Sequence, residues 1–396
     1  MTRTTVYRSR GIAIVMVLAA ITLISAIVIE INYRSQVSAM VVANRRDGEK
    51  AYELARAAVR WSIFRLQLDN ALDQIPVIQG TNYGGRKDDL SEVQWAVPLP
   101  YPLPVGALGA KTEGGDVAAA PPAESDIGGS FVSALTDESS KINLNDVGSN
   151  GIPGSTRNWS AAAIILENLL LTPRFQTHFK GKDHREILWA IDDWTDGDSE
   201  VNHLGGGIED AEYQTEDRDL HVKNAPFYSV EEIRLLKPMT EELFREIRPF
   251  VTVYPFDSRI PRMSTQPITP MGRINVNTAP LEILAALINR ATQPEAKDRL
   301  TCAQNVVKIR KGIVFRAVTG QDPSFDGALR QACGLASTPG PQGGILVFGA
   351  QQVLQVRSDV FSVEGTGSVE QTEKTIHAVI SRQNPTQPRI LYWKVI

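Results

Sequence analysis

The chain has 396 residues, of which 42% are apolar and 22% charged, and a formal net charge of −4. Its length exceeds one average domain, so two or more compact units are expected. The ordinary apolar share and mild acidity argue against bulk electrostatic attraction to nucleic acid.

The first element is a short basic leader, with Arg3, Arg8 and Arg10, ending at Gly11. An uncharged apolar run over residues 12–29 follows at once and is closed by Glu30. A secretory signal has a shorter apolar core with a small-residue cleavage site behind it. Here the best processing site, Arg10-Gly11, lies before the run, so cleavage would keep the hydrophobic segment and leave Ile12 as the mature N-terminus. That order resembles a prepilin-type leader; the plainer alternative is an uncut single-pass anchor. At about eighteen residues the run is near the lower limit for crossing a hydrocarbon core of roughly 30 Å. Within lipid it must be helical. The basic leader on one side and Glu30 on the other place the N-terminus in the cytoplasm and the bulk outside.

Residues 30–72 continue as an amphipathic pattern through Tyr52, Ala57, Trp61 and Phe64. One helix is therefore expected from Ile12 to about residue 72, roughly 90 Å at 1.5 Å per residue. Its last turns carry an apolar face suited to a sheet or to neighbouring helices. From 79 to 129 the composition turns to Gly, Pro and Ala, and Pro98, Pro100, Pro102 and Pro104 exclude a helix. A short strand is expected at 93–97 and a loop at 107–129. Strands follow at 131–135 and 142–144. Helical patterns then occupy 159–171 and 184–194, two short stretches over 229–246 broken at Lys237-Pro238, and 279–289. Strands return at 353–363, 375–380 and 390–395. A helical block inserted in a β scaffold is the economical reading.

An internal echo marks that block. Lys141-Ile-Asn-Leu-Asn145 precedes its first half and Arg273-Ile-Asn-Val-Asn277 its second. Each is a short strand ending in Asn, a residue that caps turns and helices. Thr278-Ala-Pro280 then opens a helix with Pro where a missing N–H costs nothing. The two cysteines, Cys302 and Cys333, would pair in an oxidising compartment or remain two separate buried thiols. Enzyme readings fail on motif. His178, His184, His203, His221 and His377 form no metal-ligand spacing, no nucleophile elbow is present, and the Gly205–Gly207 and Gly343-Gly344 runs read as turns.

Taken together these motifs resemble the K-type minor pseudopilins of bacterial type II secretion. The resemblance rests on Arg10-Gly11 with the apolar run, Arg46-Asp47-Gly48 before Ala51-Tyr52, and Lys141 to Asn145. It continues through Asp192-Asp193-Trp194 and Lys223-Asn224-Ala225-Pro226-Phe227 leading into Ser229-Val230-Glu231-Glu232-Ile233. It closes with Pro249-Phe250-Val251-Thr252-Val253-Tyr254 and Arg273 to Pro280. The resemblance implies an α+β, pilin-like fold: a long N-terminal helix packed on an antiparallel sheet. A large α-helical insertion would hold two subdomains resembling SAM or helix-hairpin-helix modules. The implied units are a leader (1–11), a transmembrane helix (12–29), its amphipathic continuation (30–72) and a first β region (73–145). Two helical subdomains (146–272 and 273–345) and the closing strands (346–396) complete the chain.

The implied role is non-enzymatic: a subunit at the tip of the periplasmic pseudopilus, anchored in the inner membrane before assembly. Cleavage after Gly11 and N-methylation of Ile12 by prepilin peptidase would mature it. Its implied partners are the I- and J-type minor pseudopilins, the major pseudopilin and the inner-membrane assembly platform. The mature fifth residue would be Met16, where repeating pilin subunits carry a Glu that needs a partner in the membrane. Its absence favours a tip position. The resemblance also implies calcium at the acidic segment, with Asp193, Asp196, Asp198, Glu209, Asp210 and Glu212 as candidate ligands, since hard oxygen donors suit that ion. A solvated acidic loop is the competing reading. Two alternatives to the whole assignment stay open. One is a type IV pilus minor pilin. The other is a membrane-anchored DNA binder, because residues 274–287 resemble the entry to helix-hairpin-helix modules, although Arg310-Lys311-Gly312 is the one basic cluster beside them.

Overall fold

The computed structural model describes residues 10–73, 82–83, 86–87, 99–101, 128–148, 159–179, 181–197, 199–201, 213–215, 218–219, 221–256, 268–320, 323–335, 344–384 and 387–396. The strand expected at 93–97 and nearly all of the loop at 107–129 lie outside them.

A single helix, α1 (Arg10–Asp73), opens the chain and runs past Gly48 without a break. Over its C-terminal half, Ala51, Leu54, Ala55, Ala58, Val59, Ser62 and Leu66 are buried. Their spacing of three and four puts them on one stripe of the helix. That stripe lies on an antiparallel sheet of β1 (Leu99–Tyr101), β2 (Ser130–Asp137), β3 (Val360–Val369), β4 (Thr372–Ser381) and β5 (Arg389–Val395). Neighbours in the sheet run in chain order, a simple meander. Leu135, Phe361, Val363, Ile376, Ala378 and Ile380 from the sheet pack on Ala55, Val59 and Leu66.

Helix and sheet meet almost backbone to backbone. A β-carbon placed on Gly367 would lie 2.1 Å from the carbonyl oxygen of Ala51, and one on Gly365 would lie 2.9 Å from that of Ala55. Two glycines in one strand normally weaken it, but here close approach of another backbone requires them. They also disguise the strand. The apolar pattern suggests an end near residue 363, whereas β3 continues to Val369 and begins only at Val360. In the last turns of the helix, the guanidinium of Arg382 bonds to the carboxylate of Asp69, donates to the Ser358 carbonyl at 2.7 Å and lies 4.9 Å over the Phe361 ring. This buried pair pins the last turns of α1 to the sheet.

Strands β2 and β3 are hydrogen-bonded neighbours, with Phe361 opposite Asp137, yet residues 138–359 intervene between them. That insertion contains two similar units. In the first, Ile142–Asn143 pairs in parallel with Val251–Thr252. Between these lie α2 (Ala161–Leu170), α3 (Pro173–Phe179), α4 (Arg185–Thr195), a 3-10 turn at Val230–Leu235 and α5 (Glu241–Ile247). In the second, Ile274–Asn275 pairs in parallel with Leu354–Gln355. It encloses α6 (Leu281–Ala286), α7 (Ala296–Arg310) and α8 (Phe325–Ala332). Ser160, Thr240 and Ser324 cap α2, α5 and α8 by accepting from backbone N–H groups three residues on. Ser229 and Glu232 form a capping box on the 3-10 turn. Both units share one apolar core, in which Leu166, Phe175 and Leu188 of the first join Ile283, Leu287 and Phe315 of the second.

The Asn echo proves to be the framework of these units. The side chain of Asn143 accepts from the N–H of Asn145 at 3.0 Å, and that of Asn275 from the N–H of Asn277 at 2.9 Å. The second Asn of each motif then reaches across its unit. Asn145 accepts from the N–H of Phe227 and donates to the carbonyls of Phe227 and Val253. Asn277 accepts from the N–H of Phe315 and donates to the carbonyls of Phe315 and Val356. Local capping, expected from sequence, is one half of their work; the other half is closure of each ladder over a long chain separation.

Helices α3, α7 and α8 are not among the helical patterns expected from sequence, and α7 is not announced by periodicity at all. Helix α7 mixes polar and apolar residues around its circumference, and Cys302, Ala303 and Val306 are its buried apolar positions. Tertiary packing and its staple to α8 hold it instead. Cys302 and the residue closing α8, Cys333, are joined as a disulfide with their Cα atoms 4.8 Å apart.

Candidate functional site

The N-terminal half of α1 has no cover. Residues 12–42 are exposed throughout, and the helix holds a window of mean hydropathy 3.0 with none of it buried. That is long and apolar enough to cross a membrane once. The two candidate processing residues, Gly11 and Ile12, lie in its first turn. Where the apolar run ends, Glu30 and Arg34 pair at 2.6 Å along the helix surface.

Farther along, the apolar surface of α1 divides. One stripe covers the sheet. Trp61 and Phe64, grouped by sequence with Tyr52 and Ala57 as packing residues, lie on its flank and remain 37% and 50% exposed. Their rings are 5.5 Å apart. Together with Ala57, Arg60, Pro100, Tyr101 and Phe131 they line an apolar groove of about 470 Å³ between helix and edge strand. Tyr101 stacks on Phe131 at 5.0 Å and forms the opposite wall. A groove of this kind can take another apolar helix lying alongside α1. Sequence periodicity marks Trp61 and Phe64 as apolar but cannot tell flank from floor. The wall residues Tyr101 and Phe131 were missed as site residues because the topology alone brings β1 and β2 there.

The candidate metal ligands are only partly described. Asp193 and Asp196 sit at the C-terminal end of α4, both buried, and the N–H of Asp196 closes the helix on the Asp192 carbonyl at 3.0 Å. Asp198, Glu209, Asp210 and Glu212 lie outside the described residues. Among the described residues no group of three His, Cys, Asp or Glu side chains is gathered for a metal. Asp193 and Asp196 are oxygen donors of the type that suits a hard cation.

The basic cluster near α6 does not present all its charge outward. Arg310 donates to the carbonyls of Val276 and Ala279, at 3.2 and 2.8 Å, and so braces the Asn277 turn.

A helix with a bare apolar N-terminal half and a C-terminal half laid on an antiparallel meander defines a pilin-like protein, here carrying a two-unit helical insertion between β2 and β3. Residues 140–256 match the family model for protein K of the type II secretion system, and this span coincides with the first helical unit. A chain of the GspK–GspI–GspJ complex from the type 2 secretion system of enterotoxigenic Escherichia coli has the same fold. It aligns with a TM-score of 0.53 and 17% identity, over 90% of this chain and 99% of that one. No curated protein sequence matches significantly. The first finding is a similarity to protein K over the first helical unit, and the second is a similarity of fold over most of the chain.

Proposed function

We propose that the chain is a minor pseudopilin that initiates or caps the type II secretion pseudopilus, in complex with I- and J-type minor pseudopilins. The observation that carries this reading is the divided surface of α1, bare and apolar for its first half and flanked by an aromatic groove in its second. Before assembly, residues 12–29 would hold the subunit in the inner membrane, N-terminus in the cytoplasm and folded part in the periplasm. Prepilin peptidase would cut after Gly11 and methylate Ile12. On extraction by the assembly platform, the helices of partner subunits would run along α1 and enter the groove beside Trp61 and Phe64. Met16 supports an end position, because it offers no carboxylate to the N-terminus of a preceding subunit. The helical insertion would crown the filament as major pseudopilins add below and drive substrates across the outer membrane. None of these steps asks the chain to perform catalysis.

Calcium belongs to the same proposal. Asp193 and Asp196, with Asp198, Glu209, Asp210 and Glu212, would hold the ion, which would neutralise their mutual repulsion and tie the acidic segment to the end of α4.

The test of the reading is the mature N-terminus, read by mass spectrometry on chain extracted from membranes with prepilin peptidase present. An N-methylated Ile12 is expected. An intact Met1 would leave a plain anchored protein and remove the filament role.

A further inference from the structure

Asp137 ends β2 and is 4% exposed. One carboxylate oxygen accepts from the N–H of Ser139 at 2.8 Å. The other accepts from two hydroxyls at 2.5 Å each, Thr278 and Ser358. Thr278 follows Asn277 in the second helical unit, and Ser358 stands just before β3. One carboxyl thus ties the strand that leaves the sheet, the strand that re-enters it and the farther helical unit. Asn275 extends the tie by donating to the Ser358 hydroxyl at 2.7 Å.

The charges around this carboxyl are occupied elsewhere. Its neighbour Glu138 is held by Lys141 at 2.7 Å and by the Ser362 hydroxyl at 2.8 Å. Arg382 approaches from the end of β4 but bonds to the Ser358 carbonyl and Asp69. Asp359, beside Ser358, faces Arg382, Arg357 and Arg273. Among the described residues no cation bridges to Asp137. Burial without a counter-charge pushes its carboxyl up to about 6, against the pull of its three hydrogen bonds.

Two of its three partners are also reversible. A hydroxyl donates to a carboxylate but can turn and accept from a carboxyl. Thr278 already has a second acceptor within reach, the Asn275 carbonyl at 3.4 Å. The neutral acid can therefore be fully bonded here, whereas the ionised form has donors but no balancing charge. We propose that Asp137, Thr278 and Ser358 form a proton-operated joint between the sheet and the helical insertion, tight when the carboxyl carries its proton and loosened when it ionises. The insertion would then sit more firmly on the sheet in mildly acidic surroundings than in alkaline ones.

Amide hydrogen exchange on the full chain in detergent micelles tests this, corrected for the intrinsic pH dependence of exchange. With an ordinary carboxyl in the opened state, opening of residues 274–279 and 358–362 should rise about tenfold from pH 5 to pH 8. The Asp137→Asn chain, which keeps an uncharged hydrogen-bonding group there, should show a smaller rise, the remainder belonging to the buried Asp146 carboxyl that holds Met271 and Gly272. A second readout does not depend on that variant folding: the carboxyl carbon resonance of Asp137 in carbon-13-labelled chain should titrate near pH 6. A resonance that stays ionised down to pH 4.5, or an equal rise in exchange in the Asp137→Asn chain, would overturn the joint.

Discussion

Asn277 does in the second helical unit what Asn145 does in the first, each clamping an aromatic residue's backbone and a returning strand with one side-chain amide. Both accept from a phenylalanine N–H, at 2.7 Å for Phe227 and 2.9 Å for Phe315. Both donate to the carbonyl of that phenylalanine and to one just beyond the closing ladder strand. Such an amide is fully used, and no other side chain of its size offers a donor and an acceptor in that geometry.

Truncating Asn277 to Ala should therefore destabilise the fold by about 3 kcal/mol, because buried backbone partners lose their bonds. Asn277→Asp keeps the acceptor alone and should recover less than half of the loss. Thermal or denaturant unfolding of the full chain in detergent gives both values. Equality of Asn277→Ala with the parent chain would show that the clamp is incidental.

Glycine substitutions in two places should act with opposite sign. A methyl on Gly367 would meet the Ala51 carbonyl at 2.1 Å and the Ala55 backbone nitrogen at 2.6 Å, so Gly367→Ala must lift α1 from β3, at about 2–4 kcal/mol. Gly48, inside α1, has nothing within 4 Å of an added β-carbon. Gly48→Ala should stabilise by about 0.5–1 kcal/mol through helix propensity. Melting temperatures of the two variants would separate the effects.

Removing the groove's aromatic lining should spare the fold and harm assembly. Trp61→Ala and Phe64→Ala remove half-covered side chains that lie outside the buried stripe of α1, so each should move stability by only about 1 kcal/mol. Affinity for an I-type partner should fall about tenfold or more, as expected of aromatic anchors at an interface. Titration of detergent-solubilised partner onto the immobilised chain reads the difference.

Asp146 should impose a pH dependence on stability. Its carboxylate accepts from the N–H groups of Met271 and Gly272, at 2.9 and 2.7 Å, on the segment leading into the second unit. Burial outweighs those bonds and raises the carboxyl from 3.8 to about 7. The native chain thus holds this proton more tightly than the unfolded one. The resulting stabilisation is complete below pH 3.8 and is lost as pH rises through about 7. Asp146→Asn should flatten the stability profile in that window, and an unchanged profile would assign the titration elsewhere.

Much of this architecture is legible in the residues. The uninterrupted run from Ile12 announces α1, and the Asn-x-Asn motifs mark both helical units, because capping leaves a local signature. The rest is set by distant chain segments. Gly365 and Gly367 read as a strand end until α1 is laid on them. Nothing near Asp137 in sequence points to Thr278 or Ser358. Trp61 and Phe64 share the periodicity of the buried stripe, and only the position of β1 turns them into one wall of a groove. Helix α7 has too narrow an apolar face for its periodicity to be seen, and the disulfide between Cys302 and Cys333 ties it down.

The most direct measurement of the central claim is native mass spectrometry of this chain, released from detergent after co-expression with the I- and J-type minor pseudopilins proposed as its partners. A ternary complex with one copy of each is the expected result, and it should weaken when Trp61 and Phe64 are replaced by Ala. A chain that stays alone, while the I- and J-type subunits pair without it, would contradict the assignment.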